Sequence, residues 1–159
     1  MPVEKGSYVS MQFGLNNQPM SAFKIGAISA PAFSGQGQNV NQRSSACLTG
    51  QGPIPPGHYY IFDREGGGRL EWFRNLFSDH SDWFALYSID GKIDDETFCN
   101  QLARGHFRLH PRGPRGISEG CITIENLADF HHIRAILKST SPSAVPGSNL
   151  RAYGKVVVA

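Results

Sequence analysis

The chain has 159 residues and a net charge of +2, which fits one domain able to bury a core without a metal or a disulfide. Its arginines are scattered apart from a short run at Arg104, Arg108, Arg112 and Arg115, which excludes a dedicated nucleic-acid binder. No apolar run approaches the length of a membrane span.

Eighteen glycines and ten prolines, set among β-branched and aromatic runs, point to a β-rich fold, all-β or α+β. The expected form is a twisted sheet or sandwich with one or two flanking helices. Met1 to Gly6 leads into polar sequence without an apolar h-region, so no Sec-type signal peptide is expected. The protein either stays in the cytoplasm or leaves by another route.

Ser7 to Phe13 and Ser21 to Ile28 read as the first two strands, with Asn16-Asn17 in the turn between them. Pro31 to Gly37 reads as a loop, and residues 36–45 as exposed. Gly52-Pro53-Ile54-Pro55-Pro56-Gly57 is a rigid turn feeding a strand at Tyr59 to Phe62. Leu70 to Phe77 reads as a short helix and Trp83 to Ile89 as a strand. Asp94 or Asp95 would cap a helix from Glu96 to Ala103.

In His106-Phe107-Arg108-Leu109-His110 the period of two sends Phe107 and Leu109 to the core. His106, Arg108 and His110 then line a surface or cleft. A loop follows over Pro111 to Gly116, and Cys121 to Ile124 begins another ordered segment. Asn126 reads as the N-cap of a helix from Leu127 to about Lys138, with Leu127, Phe130, Ile133 and Leu137 on one face. Ser139 to Asn149 is a loop, and Val156 to Val158 a final strand.

Three cysteines, Cys47, Cys99 and Cys121, leave at least one thiol outside any intramolecular pair. In an oxidising compartment Cys47 and Cys99 could pair, with Cys121 free. A buried cysteine is ordinarily a small hydrophobe. Cys121 instead follows a glycine in a polar stretch, soon after a histidine-rich strand. A thiol at its ordinary pKa of about 8.5 is only a few per cent ionised at neutral pH. An imidazole such as His110 can take that proton and later protonate a leaving amine. The backbone N–H groups of Gly120 and Cys121 are the candidate oxyanion donors, and removing one such donor typically costs about 3 kcal/mol in the transition state. On residue chemistry alone the nucleophilic and structural readings of Cys121 both stand.

Around this pair, Ser118 can hold the turn or touch substrate, and His106 competes with His110 as base. Arg108 and Arg112 can grip a carboxylate or form a solvated basic face. His58 reads as structural, and the adjacent His131 and His132 make a poor joint metal site. Trp72 and Trp83 read as core or rim. No metal and no cofactor are expected.

The segments Pro31-Ala32-Phe33-Ser34-Gly35, Gly52 to Ile61, Phe107-Arg108-Leu109-His110-Pro111 and Ser118-Glu119-Gly120-Cys121-Ile122-Thr123-Ile124 resemble, in that order and spacing, the type VI secretion L,D-transpeptidase effectors. These are relatives of the YkuD-type cysteine enzymes of peptidoglycan. The resemblance runs from about residue 30 onward, and residues 1–159 are read as a single catalytic domain. It differs from ordinary L,D-transpeptidases in three ways. Glu119 stands where they carry a histidine, Thr123 where many carry an arginine, and the eleven-position gap from His110 to Cys121 is short.

The resemblance implies attack by Cys121 on the bond between meso-diaminopimelate and D-alanine in tetrapeptide stems. Water as acceptor gives an L,D-carboxypeptidase, and a D-amino acid gives L,D-transpeptidase exchange. It also implies the secretion apparatus and a cognate immunity protein as partners, with injection into a target cell's periplasm. Two other readings compete. One is a non-catalytic wall-binding or toxin-adaptor domain. The other is a different cysteine amidase, which chain order disfavours because papain-like enzymes place the cysteine before the histidine.

Overall fold

The computed structural model describes residues 8–48, 51–63, 83–89, 96–99, 102–105, 107–112, 121–148 and 150–159. The expected helices at Leu70 to Phe77 and any role of His106, Ser118 or Gly120 lie outside these residues.

Among the described residues twelve strands form: β1 Val9–Phe13, β2 Ser21–Ile25, β3 Ile28–Phe33, β4 Gly57–Asp63, β5 Phe84–Ser88, β6 Glu96–Cys99, β7 Leu102–Gly105, β8 Arg108–Pro111, β9 Ile122–Ile124, β10 Ser143–Ala144, β11 Arg151–Ala152 and β12 Gly154–Val158. A single α-helix among the described residues, α1, covers Leu127–Lys138. The β-rich expectation with a flanking helix holds. The main sheet also closes on itself, as a barrel in the order β1-β12-β4-β5-β8-β9-β3-β2. Closure removes the unpaired edges that an open sheet would present.

Alternation fills the barrel. Met11, Phe13, Phe23, Ile25, Ala30, Ala32, Tyr59, Ile61, Phe84, Leu86, Leu109, Ile122, Ile124, Val156 and Val158 turn inward from all eight strands into one core. Helix α1 adds Phe130, Ile133 and Leu137, each fully buried; burial of such side chains stabilises by about 1.5–3 kcal/mol apiece. The aromatic contacts are specific: Phe84 lies 6.2 Å from Phe130 and meets Tyr153 edge-on at 6.0 Å. A second apolar cluster, with Tyr60, Phe62, Ala85, Tyr87, Val145 and Ala152, covers the outer face of β4 and β5.

Several expectations need correction. Residues 31–33 are not a loop but the end of β3, which pairs with β2 through a two-residue turn at Gly26-Ala27. Gly26 supplies the positive φ of 59° that this tight hairpin needs. Pro31 is tolerated near the strand end because its carbonyl still accepts a bond from Glu125 N at 2.9 Å. The span Glu96 to Ala103 is not a capped helix. It lies in an antiparallel hairpin, β6 with β7, as the β-branched and aromatic pair Thr97-Phe98 favours. Leu127 does not join the buried face of α1 but is 56% exposed, since the helix enters the core only from its second turn. Asn126 is extended at the N-cap, yet its side chain bonds Asp129 Oδ2 rather than a backbone N–H.

Two of the sequence segments that carried the resemblance are joined here. The backbone N–H of Ile54 donates to Ser34 Oγ at 2.9 Å, and that of Ser34 donates to Asn41 Oδ1 at 3.0 Å. Asn41 Nδ2 in turn donates to Gln18 O at 2.8 Å. The buried Asn41 thus ties the segment after β3 to the β1–β2 connection. Gly52 is required in this packing, because a Cβ there would fall 1.9 Å from Ser45 O. At the other side, Lys138 Nζ donates to Asp63 Oδ1 at 2.9 Å and Tyr153 OH donates to Asp63 Oδ2 at 2.9 Å. This cluster fastens the end of α1 to the end of β4.

Candidate active site

β8 and β9 are parallel neighbours, with Leu109 opposite Ile122, His110 opposite Thr123 and Pro111 opposite Ile124. Parallel neighbours ordinarily need a crossover of a dozen or more residues. Only residues 112–121 separate these two strands, which accounts for the short interval between His110 and Cys121. Leu109, Ile122 and Ile124 point into the core, so His110 and Thr123 share the outer face. Cys121 stands in the bend immediately before β9, two residues ahead of Thr123.

The thiol and the imidazole differ in setting. Cys121 is half-buried and outside any disulfide, whereas Cys47 is disulfide-bonded. His110 is 6% exposed, and its Nδ1 lies 2.8 Å from the carbonyl oxygen of Pro111. A carbonyl only accepts, so Nδ1 carries the hydrogen in that bond. In the neutral ring Nε2 is then left with the lone pair, the form required of a general base. Sequence reasoning missed two further features of this face. The Trp83 indole stacks on the His110 ring with centroids 4.2 Å apart and planes 19° from parallel. Thr123 Oγ1 is buried and has no hydrogen-bond partner among the described residues. Neither could be found from local pattern, because both depend on strand register.

The arginines are partly committed. Arg108 is 3% exposed and its Nη1 donates to Phe107 O at 2.8 Å, so it lies under the surface rather than on an open basic face. Arg112 is exposed. It pairs with Glu125 at 2.9 Å and sits 5.9 Å over the Phe33 ring. His58, His131 and His132 are exposed. Among the described residues no group of three or more His, Cys, Asp or Glu gathers as a metal site, and no helix is long and apolar enough to cross a membrane.

Fold and site together define a β-barrel with a buried imidazole on β8 and a cysteine outside any disulfide just before the adjacent β9. The family model of the Tlde1 domain matches residues 28–148. The chain therefore belongs to the Tlde1-domain family, the L,D-transpeptidase-like effectors of type VI secretion. No curated protein and no solved structure matches the chain.

Proposed function

We propose that this chain is a cysteine acyl-transfer enzyme of peptidoglycan, acting as an L,D-carboxypeptidase on tetrapeptide stems and, with a D-amino acid as acceptor, as an L,D-transpeptidase. The observation that supports the reading is the parallel register of His110 with Thr123, two residues after Cys121, together with the bond between His110 Nδ1 and the Pro111 carbonyl. Membership of the family supports the substrate class.

The thiolate of Cys121 attacks the carbonyl carbon of the meso-diaminopimelate–D-alanine bond, and His110 Nε2 holds the thiol proton. Backbone N–H groups of Gly120 and Cys121 stabilise the oxyanion. The tetrahedral species collapses, the C–N bond breaks, and His110 passes its proton to the departing D-alanine amine. A thioester on Cys121 remains. Water, or the amine of a D-amino acid, then attacks that thioester while His110 accepts the proton, and the thiol is restored. Arg112 at the rim takes a stem carboxylate in exchange for Glu125, and Ser118 and His106 act from the flanking segments. The reaction takes place in the target cell's periplasm, with delivery by the secretion apparatus and restraint by an immunity protein. No nucleic acid enters this scheme.

The test is mass analysis of purified tetrapeptide muropeptides after incubation, with and without an added D-amino acid. Wild type converts them to tripeptides or exchanged tetrapeptides, and Cys121→Ser does not. Unchanged muropeptides with the wild-type protein reject the proposal in favour of a wall-binding or adaptor role.

A further inference from the structure

We infer that Trp83 is a positioning residue for His110, stacked so as to fix the imidazole plane and to favour its protonated form beside the Cys121 thiolate. This rests on the reading of His110 as the base for Cys121. The antiparallel register of β5 with β8 pairs Phe84 with Leu109 and Ala85 with Arg108. Extended by one residue, it sets Trp83 opposite His110 on the outer face. The inward neighbours, Phe84 and Leu109, are fully buried in the core, so the backbone that presents both rings is rigid. The rings then meet at 4.2 Å and 19°.

Two restraints act on the imidazole from different directions. The Pro111 carbonyl holds the Nδ1 edge, and the indole holds one face. Together they define the ring's plane and its rotation, and the hydrogen held on Nδ1 makes Nε2 the basic nitrogen of the neutral ring. The indole also discriminates between protonation states. The π face of tryptophan attracts a cation, so it stabilises imidazolium over imidazole, and with it the thiolate–imidazolium pair over the neutral pair. Among the described residues, the other charged or titratable groups of this region are Arg108 on the same strand, Cys121 before β9, and the Arg112–Glu125 pair beyond the strand ends. Arg108, two residues from His110 on the same face, opposes protonation of the ring. The indole works against that repulsion.

The experiment compares wild type, Trp83→Leu, Trp83→Phe and His110→Ala. It reads Cys121 alkylation by iodoacetamide as a function of pH, and kcat and KM on tetrapeptide muropeptides. Trp83→Leu is expected to lower the alkylation rate about two- to fivefold at pH values below the inflection of the wild-type profile and to shift the profile toward higher pH. It should lower kcat by a similar factor with KM little changed. Trp83→Phe, which keeps an aromatic face, recovers most of the loss. A folded Trp83→Leu protein with an unchanged profile and unchanged kcat, while His110→Ala shifts the profile, overturns the inference and leaves the base reading intact. An unshifted profile in His110→Ala overturns both. Shifts in both variants without muropeptide turnover keep the inference and reject the substrate instead.

Discussion

His110 and Thr123 face each other across the parallel β8–β9 pair, yet only the histidine has a hydrogen-bond partner on this face among the described residues. The Thr123 hydroxyl is fully buried. A buried unsatisfied hydroxyl costs roughly 1–3 kcal/mol, and such costs concentrate where function constrains the residue. Thr123→Val, close in shape, is therefore expected to stabilise the protein by about 1 kcal/mol. Thermal unfolding reads this as a rise of about 2–4 °C for a chain of this size. A fall would mean that the hydroxyl is satisfied in solution.

Arg112 is the exposed cation nearest the end of β8, and its partner Glu125 is itself half-buried. A surface pair of this kind contributes at most about 1 kcal/mol, so the guanidinium can be surrendered to a substrate carboxylate. Arg112→Ala is expected to raise KM for tetrapeptide stems about tenfold, the order of one charge-assisted hydrogen bond. kcat should stay within a factor of about two. Steady-state kinetics of D-alanine release would show this, and an unchanged KM would place the carboxylate elsewhere.

The Lys138–Asp63–Tyr153 cluster carries a pH dependence away from the site. The hydrogen bond to Asp63 raises the Lys138 pKa above its usual value, and burial raises that of Tyr153. A raised folded pKa at lysine gives stability that is fully present below the unfolded value of about 10.5. It is lost as pH climbs through the higher folded value. The pair is well exposed, with side chains 40% and 44% accessible, so the contribution is small. Asp63→Asn is expected to cost about 0.5–1 kcal/mol at neutral pH, with the difference from wild type shrinking as pH rises beyond about 10.5. Urea midpoints at pH 7 and pH 11 test it, and an equal deficit at both would contradict the linkage.

Cys47 is disulfide-bonded while Cys121 stands outside any disulfide. Such a bond persists in oxidising compartments, in keeping with action outside the cytoplasm. Reduction is expected to destabilise the fold by about 2–5 kcal/mol without removing the nucleophile. Thermal unfolding with and without a phosphine reductant measures this. An unchanged midpoint would show that the bond adds nothing to stability.

Much of the fold could be read along the chain wherever one periodicity dominated. Helix α1 was legible to the residue because Phe130, Ile133 and Leu137 recur at helical spacing, and β4 because Tyr59 to Phe62 is unbroken aromatic and aliphatic sequence. β3 was hidden by Pro31, which reads as a breaker although only its absent N–H is lost to the ladder. The β6–β7 hairpin was hidden by an acidic stretch that imitates a helix cap. At the site, Cys121 and His110 were legible as chemical types, and the outward placement of His110 followed from alternation. The parallel register of His110 with Thr123 was not legible, nor was the stacking of Trp83, because register is a long-range property of the closed barrel. For the same reason Arg108 was expected along an open face and is found buried.

The account stands most directly on whether His110 ionises Cys121, and the rate of Cys121 alkylation against pH measures that. An isolated thiol would be only about 0.3 per cent thiolate at pH 6. The prediction is a wild-type rate nearly flat from pH 6 to pH 8, with His110→Ala losing about tenfold for each unit below pH 8. A wild-type protein whose rate falls with the same tenfold slope as the variant, or whose thiol resists alkylation until unfolding, would contradict it.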